Sequence, residues 1–232
     1  MTGTIVDMHV HTTRGASDSN LTVDQLVAEA ARIGLTGVNI SEHDRKWDAN
    51  TLRHFREENP DLFVNNGMEV STDLGHMIVV GLDEYYPGIR NLRTLREIAD
   101  QKGAYVICAH PFRYFFDPVH FRRQGREPFN LTPEQAAEQM PVFGLVDDVE
   151  VLNGACTARE NEFAYAVAQV LGKKGTGGSD AHSTNGLGVA ATAFPVELRD
   201  ESHMLELLRE AAHHPVGGLN RGETAAFTGS SA

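Results

Sequence analysis

Cysteine is nearly missing from this chain, with only Cys108 and Cys156 in 232 residues. Two cysteines make no disulfide framework, so stability has to come from an ordinary core. Cys108 lies inside the apolar run 104–109 and Cys156 just past Asn153-Gly154, and a structural role is expected for both. Apolar runs of membrane-spanning length are also lacking, and residues 1–5 have neither the basic start nor the apolar stretch of a secretory leader. A cytoplasmic protein without a membrane partner is the expectation. Positive charge is the third shortage: 20 Lys and Arg stand against 32 Asp and Glu, a formal net charge of −12. Proteins that grip a nucleic-acid polymer usually carry a basic face, so that partner is disfavoured.

What is present suffices for one core. A 41% hydrophobic chain of this length fits a single α/β domain over residues 1–221, with a mobile tail over 222–232. Apolar runs alternate with helical patterns, beginning with a strand over 4–8. Thr22 opens a helix on three agreeing features: Gln25 completes a capping box, Leu21 and Leu26 form a hydrophobic staple, and Gly34 stands where a C-terminal cap belongs. Further strands are expected at 37–41, 62–64, 67–71, 77–82, 105–109, 146–152, 174–178 and 189–194. Helices are expected at 49–58, 92–101, from Thr132, from Thr157 to near Gly172, and at 202–213. The stretch 113–130, rich in aromatics and arginines, is long and irregular and suits a lid over a site. Its aromatics, Phe112, Tyr114, Phe115 and Phe116, either pack that lid or stack on a nucleobase; packing is the expected role.

Five short polar islands follow these apolar runs: Asp7-Met8-His9-Val10-His11, Glu42-His43-Asp44, Glu69 with His76, His110-Pro111, and Asp180-Ala181-His182. Imidazole and carboxylate are the ligands of borderline and hard divalent ions, so their gathering from five segments reads as a multinuclear metal centre. Alternation along a strand puts residues 7, 9 and 11 on one side, so His9 and His11 can grip one ion, with Asp7 as a further ligand or a supporting partner. Asp180 and His182 repeat the spacing after Gly177-Gly178. Glu69 stands in an apolar strand, where an unpaired carboxylate is costly to bury and a bridge between two ions would resolve that cost. Glu42 could orient the His43 ring. Glu150 reads as a buried hydrogen-bonding partner. Arg14, Arg45 and Arg113 each lie within a few residues of a ligand, and Arg113 is the preferred phosphate clamp. Because ligands at the C-terminal ends of strands meet on one face of a barrel, a closed barrel is favoured over an open sheet.

Over roughly residues 4–195 the chain resembles the PHP (polymerase and histidinol phosphatase) domain of metal-dependent phosphoesterases. The likeness runs in order through Asp7-x-His9-x-His11, Ser17-Asp18-Ser19, Ile40-Ser41-Glu42-His43-Asp44, Gly67-Met68-Glu69-Val70 and Gly75-His76. It continues through Ala109-His110-Pro111, Glu150-Val151-Leu152-Asn153-Gly154 and Gly178-Ser179-Asp180-Ala181-His182. Glu42 departs from the Asp more usual before that histidine. The resemblance implies a distorted seven-stranded (β/α)7 TIM-like barrel holding two or three divalent ions, zinc, manganese or iron. It implies that His9, His11, Glu69 and Asp180 hold one ion. Glu69 would bridge to a second with His110 and His76, and Asp18, His43 and His182 would hold a third. The expected activity is hydrolysis of a small-molecule phosphate ester, a phosphometabolite or nucleotide, through a metal-bound hydroxide, with Asp180 or His182 relaying the proton and Arg113 clamping the phosphate. The competing expectations are an amidohydrolase-like C–N hydrolase and a non-catalytic metal-binding module.

Overall fold

The computed structural model describes residues 3–123, 125 and 127–229. The helices begin where the caps predict. In α1 (Val23–Ile33) Thr22 and Gln25 exchange side-chain bonds with each other's backbone, and Gly34 closes the helix in the left-handed region at φ 74°, which glycine enters without a Cβ penalty. α2 (Ala49–Glu58) starts at Asp48 and α3 (Leu92–Lys102) at Asn91. α4 (Pro118–Arg123) lies within the stretch read as irregular. α5 (Pro133–Gln139) and α6 (Ala158–Val170) repeat the capping box with Thr132 and Thr157, and α7 (Glu201–Arg209) starts at Asp200.

The strands form two mixed sheets. In the first, β1 (Ile5–Val10), β2 (Gly37–Ile40) and β3 (Phe63–Asn66) run parallel. On the other side of β1, β9 (Ala190–Ala193), β10 (His214–Gly217) and β11 (Ala225–Ala226) add antiparallel. The second joins β4 (Met68–Thr72), β5 (Gly75–Val80) and β6 (Tyr105–Cys108) antiparallel, then β7 (Asp148–Asn153) and β8 (Thr176–Gly178) parallel. The expected α/β architecture is present, with its strands divided between two mixed sheets that include antiparallel pairs. Parallel neighbours need a crossover of a dozen residues or so. Here a tight turn, in which the Thr72 hydroxyl donates to the Gly75 carbonyl at 2.6 Å, returns β5 directly along β4. Two isolated bridges link the sheets, Val10 with Ala181 and His43 with Glu69.

The two sheets also share a core. Val6 and Met8 of β1 pack with Ile78, Val80, Tyr105 and Ile107 of β5 and β6 beneath Met204, Leu205 and Leu208 of α7. A second cluster sets Leu26 and Ala30 of α1 and Phe55 of α2 against Val38 and Ile40, and a third sets α3 and α6 against Val106, Val149 and Val151. Full burial of one such Leu, Ile or Phe contributes about 1.5–3 kcal/mol, enough to hold the strand ends that carry the polar islands. Over 222–229 the tail has contacts with the rest of the fold. β11 pairs with β10, the Phe227 amide donates to the Pro215 carbonyl, and the Phe227 ring packs edge-on against Tyr165 at 5.6 Å. Residues 230–232 lie outside the described residues. Among the described residues no helix is long and apolar enough to cross a membrane.

Candidate metal centre

The side chains of β1 alternate as expected: Val6 and Met8 enter the core, while Asp7, His9 and His11 occupy the other side, all fully buried. The parallel continuation from β8 brings the second island alongside, with the Asp180 amide donating to the His9 carbonyl at 2.7 Å and the His11 amide to the Ala181 carbonyl at 3.0 Å. Gly178 permits this approach, since a Cβ there would lie 2.5 Å from His9 Cβ. Asp180 Oδ1 consequently sits 3.5 Å from His9 Nε2 and 3.3 Å from His11 Nε2.

Glu69 is the hub. Its buried carboxylate lies 3.5 Å from His9 Nε2, 3.3 Å from His11 Nε2, 2.8 Å from His43 Nδ1, 2.8 Å from His76 Nδ1 and 3.2 Å from His110 Nε2. Asp18 Oδ2 comes within 3.4 Å of His43 Nε2 and 3.5 Å of His182 Nε2. The Asp18 loop is placed by Ser19, whose hydroxyl donates to the His11 carbonyl at 2.8 Å, and by the Asn20 amide, which donates to the His182 carbonyl. The structure thus gathers all nine candidate ligands. Three groups have donor atoms close enough to share an ion: His9 with His11 and Asp180, His9 with Glu69 and His110, and His11 with His43 and His182. His76, on the exposed side of Glu69, and Asp18 stand outside these three tight groups.

Electrostatics follow the same arrangement. Burial pushes Glu69 up, but His9 and the hydrogen bonds from His110, His43 and His76 outweigh it and hold the carboxyl well below the usual range. Asp180 is likewise driven far down, against burial, by His9, His11 and Arg113. Burial lowers His9, yet Asp180, Glu150 and Glu69 together raise it well above 6.5. His11 is brought down to about 4 by burial. A divalent cluster fits this donor set. His9 Nε2 and both ring nitrogens of His11 are buried without a hydrogen-bond partner, a cost that coordination removes. The mixture of imidazole and carboxylate suits zinc, manganese or iron.

Three of these positions depend on unusual backbone. Asp44, His110 and Asp180 lie in the left-handed region at φ 52°, 30° and 56°, which non-glycine residues hold only when their surroundings over-determine them. The surroundings are visible: the His110 amide donates to Glu150 Oε2 at 2.8 Å, Glu150 Oε1 accepts from His9 Nδ1 at 3.0 Å, and Asn153 Nδ2 donates to Glu150 Oε2 at 2.9 Å. Glu150 thus fixes two candidate ligands at once. Arg113 donates to Asp180 Oδ2 and, at 2.8 Å, to Asn153 Oδ1. Cys156 also contacts Arg113, and burial pushes its thiol up to about 12.

Other acidic neighbours point away. Asp7 accepts from the Ser179, Gly188 and His9 amides and so ties β1 to the loops beside Asp180; burial pushes its carboxyl up to about 6. Glu42 does not orient His43. It takes the Thr12 hydroxyl at 2.5 Å and Trp47 Nε1 at 2.9 Å, because Gly15 leaves room for its longer side chain to turn that way. Asp44 accepts from Arg90 and the Ser71 amide. Arg14 lies over Trp47 at 5.6 Å. The hold of Asp7 on the loop amides and the turn of Glu42 toward Trp47 were not legible in the sequence, because neither motif encodes direction. A cavity of about 1010 Å³ runs along α2 and α7 past Lys46, Arg56 and Asp200, and no candidate ligand lines it.

Comparison with known proteins agrees with this geometry. Residues 158–212 match the family model described as PHP-associated. The search of curated proteins gives no match. Among solved structures, the fold is shared with a two-domain protein from Bacteroides vulgatus containing a predicted PHP-like metal-dependent phosphoesterase, at 19% identity and TM-score 0.58, covering 97% of this chain and 65% of that one. An amidohydrolase from Chromobacterium violaceum with bound sulfate and no metal matches at 15% identity and TM-score 0.56, over 87% of this chain and 95% of that one. Endonuclease Q in complex with a 27-mer duplex substrate carrying an abasic lesion at the active site matches at 13% identity and TM-score 0.52, over 90% of this chain and 57% of that one. The family match and the shared fold support the PHP resemblance read from the motifs.

Proposed function

We propose that this chain is a metal-dependent phosphoesterase of the PHP type, a distorted TIM-like barrel whose strand ends carry two or three zinc, manganese or iron ions. The observation that supports it most is Glu69, a buried carboxylate within 3.5 Å of five imidazoles. We assign His9, His11, Glu69 and Asp180 to one ion, Glu69, His110 and His76 to a second, and Asp18, His43 and His182 to a third. Bound there, divalent ions lower the pKa of water and offset charge on phosphoryl oxygens.

The remaining work falls to the chain's own residues. Arg113, held by Asp180 and Asn153 at the edge of the ligand set, presents its guanidinium for a bidentate grip on a phosphate ester. The His182 ring is hydrogen-bonded from Nδ1 to the Asp180 carbonyl at 2.9 Å and is about one-third exposed, which leaves Nε2 as the atom it offers to the third ion. Glu150 keeps the His9 ring in one orientation. The preferred substrate is a small phosphate ester in a cytoplasmic setting.

The test is phosphate release from matched monoester and diester substrates by manganese-reconstituted protein, with a metal-stripped control. Metal-dependent turnover that disappears in His9→Ala and Asp180→Ala, with the circular-dichroism spectrum retained, supports the reading. Turnover in either variant refutes it. Hydrolysis of amides or lactams without any phosphate release would favour the C–N hydrolase instead.

A further inference from the structure

The aromatic segment after His110 divides into two populations. Phe112 is fully buried and packs edge-on against Phe115 and Phe163 and tilted against Phe129 and Phe143; Phe115 and Phe116 pack into the same cluster. Tyr114 stands apart, 55% exposed, more than any other large apolar residue among those described. Its backbone is left-handed at φ 67°, a conformation a tyrosine does not choose on its own.

Two bonds hold it there. The Tyr114 amide donates to Glu160 Oε1 at 2.6 Å, and the other oxygen of that buried carboxylate takes the Thr157 amide at 2.8 Å. The strained turn is thereby riveted to the start of α6. The ring itself stacks on His120 of α4, with centroids 5.3 Å apart and planes 24° apart. Exposed Arg122 and Arg123 follow on the same helix. One residue earlier, Arg113 turns inward to Asp180. Consecutive Cα atoms are about 3.8 Å apart, so the backbone that displays the ring is one residue from the arginine that touches Asp180.

A fixed π-face, flanking cations and a phosphate-binding centre side by side match the parts of a nucleotide. Stacking on an aromatic contributes about 1–3 kcal/mol per base and tolerates any base. We propose that Tyr114, backed by His120, is the platform on which a nucleobase stacks while the attached phosphoryl group reaches the metal centre. This rests on the phosphoesterase reading and narrows its substrate class to nucleotide esters. The base could belong to a free nucleotide or to the end of a strand; its chemistry is the same.

Calorimetry on manganese-loaded protein tests it, comparing adenosine monophosphate with ribose 5-phosphate for the wild type, Tyr114→Ala and Tyr114→Phe. The wild type is expected to bind the base-bearing ester about tenfold more tightly, Tyr114→Phe to keep that ratio, and Tyr114→Ala to bring it close to one. Tighter binding of a 5′-phosphorylated trinucleotide than of the monophosphate identifies a strand end as the source; equal or weaker binding identifies the free nucleotide. Equal affinity for both wild-type ligands, binding of neither, or a ratio that survives Tyr114→Ala overturns the proposal. Base discrimination without turnover of any ester would overturn the phosphoesterase reading alone, and phosphate release without base discrimination would overturn the stacking alone.

Discussion

Glu150 and His9, 141 residues apart in the chain, are joined by a 3.0 Å bond from the imidazole Nδ1 to the carboxylate Oε1. The bond assigns the two ring nitrogens: Nδ1 is committed to Glu150, and Nε2 is left facing Glu69 and Asp180. Carboxylates that orient a ligating imidazole are worth about 10–100-fold in metal affinity. Glu150→Ala should therefore weaken zinc binding by about that factor while the far-ultraviolet spectrum stays native. Competition against a chelating dye measures it, and wild-type affinity in the variant would show that His9 needs no such support.

Gly178 is where β8 passes closest to β1. An added Cβ would meet His9 Cβ at 2.5 Å, Glu150 Oε1 at 2.6 Å and the His9 nitrogen at 2.8 Å. Two of these atoms belong to the β1 backbone and Cβ of His9, which cannot swing aside, and Glu150 Oε1 is tied to the His9 ring, so the strands must shift apart. Gly178→Ala should cost about 1–3 kcal/mol from overpacking and displace the bond between His9 and Glu150. Scanning calorimetry should show a fall of about 2–4 °C for each kcal/mol lost. A variant melting with the wild type would mean the strands yield freely.

Protons and metal ions compete for the same ring nitrogens. In the metal-free protein His43 is raised above 6.5, chiefly by its hydrogen bond to Glu69, whereas burial brings His11 down to about 4. An incoming ion has to displace the proton on His43 near neutrality but meets His11 already as the free base. Affinity should thus climb as pH rises through the raised His43 value, by up to about tenfold per unit for that ligand. Dissociation constants at about pH 6, 7 and 8 check the sign, with the weakest binding at the lowest pH. His9 is raised too and adds in the same direction, so a flat or inverted profile would remove both His9 and His43 from the ligand set.

A second buried pair lies at the opposite end of β7. His213 Nε2 is 3.0 Å from Asp148 Oδ2, and Asp148 Oδ1 takes the Val149 and Gly175 amides at 2.8 and 2.9 Å. His213→Ala leaves Oδ2 with only the Tyr105 hydroxyl at 3.4 Å. Stranding a buried charge in this way costs about 3–5 kcal/mol. Urea unfolding should register that loss, and zinc affinity of the folded fraction should stay as it was. A stable variant would imply that Tyr105 moves in to replace the histidine.

Helix starts and ligand islands were legible because each is a local matter. Thr22 and Gln25 lie three residues apart, and strand alternation places His9 and His11 on one side whatever the fold. The strand pairing was not legible, since apolar runs such as Met77–Val80 suit a parallel or an antiparallel neighbour equally. Only the two-residue turn at Asp73-Leu74, between β4 and β5, reveals a hairpin in place of a crossover. Direction of side chains was hidden for the same reason. Glu42 and Asp44 flank His43 in sequence, yet one turns to Trp47 and the other to Arg90. The separation of Tyr114 from its phenylalanine neighbours depends on the Glu160 carboxylate, which the sequence places 46 residues away.

The left-handed turns at His110 and Asp180 also bear on how the molecule fails. Both conformations are maintained by surrounding bonds against local preference, so each stores a small tension that is released once its neighbours slacken. Heat or mild denaturant is therefore expected to slacken these two turns before it dissolves the sheets. Loss of the ligand geometry and loss of shape should then be two separate events, the first at the gentler condition.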